Sequence, residues 1–196
     1  INSAKDPKGQ EWIGRSLGDL VAARGGHVSD VLADWALGNE CDATFVYPIA
    51  NTDHKAVAAL LKNPVTFVSG SDAGAHLQMF CAAGDSTLLL TRYVRDRKDL
   101  TLEAAVASLT GRQAALLGLP DRGVLDVGKI ADITIFALDD LDYGPEFTVN
   151  DVPGGLPRRS RKPGGYRYTI VNGAVVQERG KATGELPGRW LPVASR

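Results

Sequence analysis

The chain has 196 residues, 44% of them hydrophobic and 23% charged, which is typical of a globular protein with one large core or two small ones. Its formal net charge of -1 provides no field that would gather nucleic acid or an anionic membrane. No stretch approaches the ~18 consecutive apolar residues needed to cross a bilayer, and the N-terminus lacks a signal-peptide pattern. We therefore expect neither nucleic-acid nor membrane partners.

The two cysteines, Cys41 and Cys81, lie far apart and have no companion histidine at zinc-finger spacing. This usage excludes a disulfide framework and a zinc finger, and it favours a reducing compartment. The sequence thus predicts a cytoplasmic protein.

The first half of the chain alternates predicted helices with predicted strands. Apolar spacing and capping residues predict three helices, over residues 15–23, from a cap at Ser29 to Ala36, and over Asp53–Lys62. Short apolar runs predict buried strands over Ala43–Tyr47 and Val65–Val68. Alternation with short connections predicts βα units, a parallel sheet and the α/β fold class. His27 and His54 lie beside predicted helix starts, where capping or surface roles are expected.

The second half changes from helical to strand-rich patterns. A helix is predicted from a cap at Thr101 to Leu117, with an interruption at Gly111. Residues 131–136 are β-rich, and Asn172-Gly173 predicts a type I′ hairpin over residues 168–176. The Pro- and Gly-rich composition of residues 141–166 predicts a long functional or surface-crossing loop. The basic residues at 158–162 are expected to form a solvated part of this loop.

The run Val65–His76 contains the strongest candidate for chemistry. Its predicted strand leads directly to Asp72, and His76 follows four residues later. In α/β barrels the catalytic groups lie where strands end at their C-terminal edge. A carboxylate that must accept and return a proton also needs room to rotate, which Ala73 and Gly74 provide. The alternative interpretation is that Asp72 forms an Asx turn or a helix N-cap.

Several motifs, taken as a set, resemble the amidohydrolase superfamily. They are Ser69-Gly70-Ser71-Asp72 with His76, the helix start at Leu100–Val106 with Thr110, the segment Gly123–Phe136, and Val171–Gly173. The Gly-Ser-Asp form and the tail Thr183–Trp190 are most similar to the D-aminoacylase group, the N-acyl-D-amino-acid deacylases. The similarity is specific from about Asn63 onward and weaker before it.

The resemblance implies the C-terminal part of a metal-dependent (β/α)8 TIM barrel, residues 1–120, followed by part of a small β-sandwich domain, residues 121–196. It implies hydrolysis of a linear, non-peptide C–N bond in an N-acyl-D-amino acid. Carried over by position, Asp72 would be the catalytic acid/base and a metal ligand, and His76 would contact the substrate carboxylate. The implied cofactor is zinc, as one or two divalent ions that polarise the amide carbonyl and lower the pKa of a water molecule.

One departure from the superfamily pattern concerns the metal ligands. The chain has three histidines and no His-x-His pair, whereas a catalytic zinc takes three protein ligands and an open position. We therefore expect this chain to be a C-terminal portion that needs a missing N-terminal half for activity. Lys129 and Asp132, although part of the resemblance, are expected to be structural.

Two alternatives stay open at the level of sequence. The parent protein could be a cyclic-amide hydrolase of the dihydroorotase or hydantoinase kind. The chain could instead be a non-catalytic scaffold or interaction module, because an open parallel sheet leaves a large apolar surface for a partner to cover.

Overall fold

The computed structural model describes residues 1–47, 50–68, 70–74 and 77–191. The chain forms two compact units, Ile1–Thr52 and Asp53–Arg196. Among the described residues, no helix is long and apolar enough to cross a membrane.

The first unit consists of a 3₁₀ helix, Pro7–Trp12, followed by α1, Leu17–Arg24, and α2, Val28–Gly38. The Leu20 side chain of α1 and the Trp35 side chain of α2 are almost completely buried and form the centre of a small core. Ser16 begins α1 with a capping box shared with Asp19, so the predicted helix is confirmed.

Two sequence predictions in this unit need correction. Helix α2 begins two residues earlier than expected, because the N-cap is His27, whose Nδ1 accepts a hydrogen bond from the Ser29 amide. The predicted strand Ala43–Tyr47 is absent, and only an isolated bridge joins Ser3 to Thr44. Val46 and Tyr47 are more than two-thirds exposed, so the run has neither the ladder nor the burial of a strand.

The second unit begins with helices. They are α3, His54–Lys62; α4, Asp85–Leu88, which continues as a π-helix over Leu89–Asp96; α5, Leu102–Leu109; and α6, Gly111–Leu116. Asp53 caps α3 and Thr101 caps α5, as predicted. The break between α5 and α6 lies at Thr110, one residue before the predicted Gly111. The helix over Asp85–Asp96, which the sequence did not predict, supplies most of the core of this unit.

The predicted strand Val65–Val68 is also absent. The residues form an irregular segment that begins with a turn, in which the Thr66 amide donates to the Asn63 carbonyl. β-branched and aromatic residues favour a strand only where a neighbouring strand completes the hydrogen-bond ladder. Within the described part of the chain, side chains of α6 occupy that position instead.

A four-stranded antiparallel sheet follows the helices, in the order β1-β4-β5-β6. Its strands are β1, Ile133–Phe136; β4, Tyr166–Val171; β5, Ala174–Glu178; and β6, Lys181–Ala182. Asn172 and Gly173 both have positive φ, so the predicted type I′ turn is confirmed. Asp132 accepts hydrogen bonds from the Asn172 amide and the Arg122 guanidinium, which is a structural role.

The long loop predicted over residues 141–166 contains a β-hairpin. Strands β2, Glu146–Val152, and β3, Leu156–Arg161, pair antiparallel across a turn at Gly154 and Gly155. The basic residues at 158–162 therefore lie mainly on a strand, and cross-strand ion pairs with Glu146 and Asp151 neutralise part of their charge.

Helices and strands on both sides of residue 120 share one core, in which Leu89, Leu90 and Tyr93 pack against Phe136 and Tyr166. Every strand pair among the described residues is antiparallel. The chain is thus a mixed helix and sheet protein. The barrel portion at 1–120 and the β-sandwich portion at 121–196 stay predictions.

Candidate functional site

Asp72 lies on an exposed segment that follows residues 64–68 directly in the chain. The local turn is made by Ser71, whose Oγ accepts a hydrogen bond from the Ala73 amide at 3.2 Å. Among the described residues, no hydrogen bond or ion pair engages the Asp72 carboxylate. Within the described residues it forms neither an Asx turn nor a helix N-cap.

The other histidine predictions have different outcomes. His76 lies outside the described residues, so its substrate-binding role stays a prediction. His27 caps α2, and the His54 ring meets Tyr93 edge-on, with its Nδ1 3.3 Å from the phenol oxygen. Capping and packing therefore account for these two histidines.

The β2–β3 hairpin and its flanks fasten the chain that follows Asp72 at two points. The Arg159 amide donates to the Leu77 carbonyl at 2.6 Å. Gly84 packs so closely against the Tyr143 ring and Pro163 that an added Cβ would lie 3.0 Å from Pro163 and 3.1 Å from Tyr143. The loop after Asp72 is therefore held at Leu77 and at Gly84 by residues that are distant in sequence.

Arg161 connects the hairpin to these flanks. Its guanidinium carbon lies 3.9 Å from the centre of the Tyr143 ring, and its Nη2 donates to Glu146 at 2.9 Å. Its Nη1 donates to the Gly144 carbonyl. The side chain is only 10% exposed, so this stacked and paired arginine is a fixed positive charge.

Asp85 and Tyr143 have shifted proton affinities in this region. Burial raises the pKa of Asp85; the nearby Arg161 charge opposes that rise and the Asp72 charge adds to it. Burial likewise raises the pKa of Tyr143, against the effect of Arg161. Asp72 and Arg161 thus act in opposite directions on the proton affinity of Asp85.

The raised pKa of Asp85 predicts a specific pH dependence of stability. The folded protein holds the Asp85 proton more tightly than the unfolded chain does, because burial disfavours the carboxylate. This contribution to stability is fully present below the unfolded pKa of about 3.9 and is lost as the pH rises through the folded pKa. We expect the free energy of unfolding of the wild type, relative to that of Asp85→Asn, to fall as the pH is raised from about 3 to about 7.

Asp19→Asn is the matched control, because hydrogen bonds from Ser16 lower the pKa of Asp19. For that pair the wild type should gain stability relative to the variant over the same pH range. Urea denaturation of all three proteins measures both trends. The same sign of trend in the two pairs would contradict the assignment of Asp85.

A complete metal site is not present in the described part of the chain. Those residues contain no group of three or more His, Cys, Asp or Glu side chains that could hold a metal ion. Both cysteines are free thiols. Asp72 can supply one oxygen ligand, whereas a catalytic zinc takes three protein ligands. The described residues therefore do not fit a metal ion by themselves.

A groove of about 680 Å³ lies between α5, α6 and strand β1 in the second unit. Its lining is largely apolar and includes Leu90, Val106, Val124 and Phe136. Asp72 is not part of this lining. The groove lining also includes the carboxylates of Glu103 and Asp132, and Asp132 accepts hydrogen bonds from Asn172 and Arg122. We place the candidate site at Asp72, whose carboxylate has no partner among the described residues.

The sequence predicted Asp72 as a site residue but did not indicate Asp85, Tyr143 or Arg161. Asp85 follows Gly84 at the start of an apolar helical pattern, which was a readable signal for a helix start. Arg161 belongs to a run in which charged residues face Glu146 across a hairpin, and that pairing depends on register. The sequence alone does not bring these side chains to the loop after Asp72.

Comparison with known proteins identifies the family. The model of the amidohydrolase family matches residues 31–177, about three-quarters of the chain. N-acyl-D-glutamate deacylase from Alcaligenes xylosoxydans xylosoxydans is 36% identical over 121 residues, which cover 62% of this chain and 22% of the relative. A dihydroorotase from Lactobacillus gasseri is 33% identical over 93 residues, covering 47% of this chain and 22% of the relative.

A solved structure supports the same assignment. A D-aminoacylase mutant in complex with 100 mM CuCl2 superimposes with a TM-score of 0.51 and 25% identity, over 89% of this chain and 34% of that chain. The chain spans about a third or less of the length of the proteins it matches. Its sequence and fold place it among them, and the chain therefore belongs to the amidohydrolase family.

Proposed function

We propose that the full-length protein is a metal-dependent amidohydrolase that cleaves the linear C–N bond of an N-acyl-D-amino acid, and that Asp72 transfers the proton. One observation supports the role of Asp72 most directly. Its carboxylate is exposed and unengaged among the described residues, and anchored backbone lies on both sides of it. The N-acyl-D-glutamate deacylase relative supports the substrate class.

In this proposal Asp72 acts twice. Its carboxylate first accepts a proton from the attacking water and then returns that proton to the nitrogen of the departing amine. The small residues Ala73 and Gly74 leave space for the side chain to turn from one partner to the other. We further propose that His76 contacts the substrate carboxylate, as the resemblance to the amidohydrolase superfamily implies.

The proposed cofactor is zinc, as one or two divalent ions. Asp72 would supply one oxygen ligand, and the remaining ligands would come from a separate N-terminal part of the same protein. A D-aminoacylase mutant binds copper under the conditions of its structure, which supports a divalent-metal site in this group. We propose a cytoplasmic location, with a small-molecule substrate and no nucleic-acid or membrane partner.

A cyclic-amide hydrolase is the second candidate, because dihydroorotase is among the similar proteins. That match covers 47% of the chain, whereas the deacylase match covers 62%. The similarities therefore favour the linear substrate.

A substrate panel tests the proposal. We expect the full-length protein to release amine from N-acetyl-D-glutamate or N-acetyl-D-methionine, with little turnover of the L-enantiomers or of dihydroorotate. Dialysis against a chelator should remove turnover and zinc should restore it, as metal analysis and amine release together can show. Turnover of dihydroorotate alone would favour the cyclic-amide candidate, and no turnover of any substrate would favour a non-catalytic module.

A further inference from the structure

Three backbone carbonyl groups just before Asp72 accept hydrogen bonds from two neighbouring side chains of α6. Arg112 donates through Nη2 to the Pro64 carbonyl at 2.8 Å and to the Thr66 carbonyl at 2.8 Å. Gln113 donates through Nε2 to the Val68 carbonyl. The accepting residues are spaced two apart, and one helix reaches them all, so the three carbonyls lie on the same side of the segment.

In a β-sheet, the backbone amides of a neighbouring strand would donate hydrogen bonds to carbonyls that lie along one side of a segment in this way. Among the described residues no strand pairs with residues 64–68, and Arg112 and Gln113 supply the missing donors. Arg112 also lies over the Phe67 ring, with its guanidinium carbon 5.1 Å from the ring centre. The segment is thus held through its backbone and through one side chain.

Helix α6 is itself anchored, so it can hold the segment in a fixed place. Ala114 is buried, and an added Cβ at Gly123 would lie only 2.6 Å from the Ala114 Cβ. The Leu119 amide donates to the Ala114 carbonyl at 2.8 Å and closes the end of the helix. Arg112 and Gln113 therefore extend from a helix that has little freedom to shift.

We propose that Arg112 and Gln113 are positioning residues that hold the backbone of residues 64–68 and thereby place the Asp72 carboxylate for proton transfer. The inference rests on the proposed function of Asp72. Val68 precedes Asp72 by four residues, so a displacement of the segment moves the carboxylate. Because a misplacement of about 1 Å can cost about 100-fold in rate, loss of these donors should act on kcat.

The test uses three variants of the full-length protein. Arg112→Met removes the donors but keeps an unbranched chain over Phe67, Arg112→Lys keeps one donating group, and Gln113→Glu replaces the amide donor by an acceptor. We expect kcat to fall about 10- to 100-fold in Arg112→Met and Gln113→Glu with KM within about twofold, and Arg112→Lys to recover part of the loss.

Hydrogen–deuterium exchange of the backbone provides the second readout. Amides of residues 65–74 should exchange faster in Arg112→Met and Gln113→Glu than in the wild type. Arg97→Met is the matched control, since Arg97 also stacks on an aromatic ring, that of Tyr93, and pairs with Asp99. It should change neither kcat nor exchange in this segment.

The outcomes separate this inference from the proposed function. Faster exchange together with lower kcat supports positioning. Unchanged exchange, unchanged kcat, or an equal change in Arg97→Met overturns it. Failure of the wild type to hydrolyse any N-acyl-D-amino acid, with faster exchange in the variants, overturns the proposed function and leaves only the anchoring of the segment established.

Discussion

Replacing Asp72 by asparagine is expected to lower kcat of the full-length protein by about 10²- to 10⁴-fold, the range typical for loss of a general acid–base group. Asparagine has nearly the same size as aspartate but can neither accept the proton of the attacking water nor return it to the amine. Because the Asp72 side chain is exposed and makes no bond to the described residues, its replacement should leave the fold intact. Initial rates at saturating substrate measure the effect.

Two controls make the result specific to Asp72. Asp34→Asn changes an exposed aspartate on α2 in the same way and should retain wild-type kcat. Thermal unfolding of Asp72→Asn should give the wild-type midpoint, which excludes misfolding as the cause of a lower rate. Wild-type turnover in Asp72→Asn would show that the proton transfer belongs to another residue.

Gly165→Ala is expected to cause the largest loss of stability among single methyl additions in the connection between β3 and β4. Gly165 has a φ of +88°, where an L side chain is strained by about 1–2 kcal/mol. An added Cβ would also lie 2.2 Å from the Asp140 carbonyl oxygen, which is backbone and cannot rotate away. Overpacking costs about 1–3 kcal/mol more, so we expect a total of about 2–5 kcal/mol.

The neighbouring Gly164 offers a matched control for this prediction. A Cβ at Gly164 would meet the Asp142 Cβ at 3.7 Å, which is ordinary van der Waals contact. Gly164→Ala should therefore change the free energy of unfolding by less than about 1 kcal/mol. Equal losses in the two variants, measured by urea denaturation, would show that the close approach at Asp140 does not determine stability.

Features that depend on neighbouring residues in sequence could be predicted. The Asn172-Gly173 turn follows from the tolerance of these residues for positive φ, and the helix start at Asp53 follows from its short side chain, which accepts hydrogen bonds from the Lys55 and Ala56 amides. These structures require no information about the rest of the chain.

Features that depend on a distant partner could not be predicted. Val65–Val68 has the composition of a strand, but its carbonyls bond to side chains of α6. The β2–β3 hairpin was hidden because Pro and Gly dominate its ends, and the ion pair of Glu146 with Arg161 depends on the register of the folded hairpin. The same distinction holds for the candidate site. A local motif predicts Asp72, whereas the proximity of Asp85 and Arg161 depends on the folded chain.

The two fastening points of the loop after Asp72 have a consequence for protein engineering. Leu77 and Gly84 are fixed by the hairpin and its flanks. A loop closed by fixed ends tolerates changes in length, since doubling its length costs only about 0.6 kcal/mol of closure entropy. Small changes in the length of residues 78–83 are therefore expected to cost little stability, provided that Leu77 and Gly84 keep these contacts.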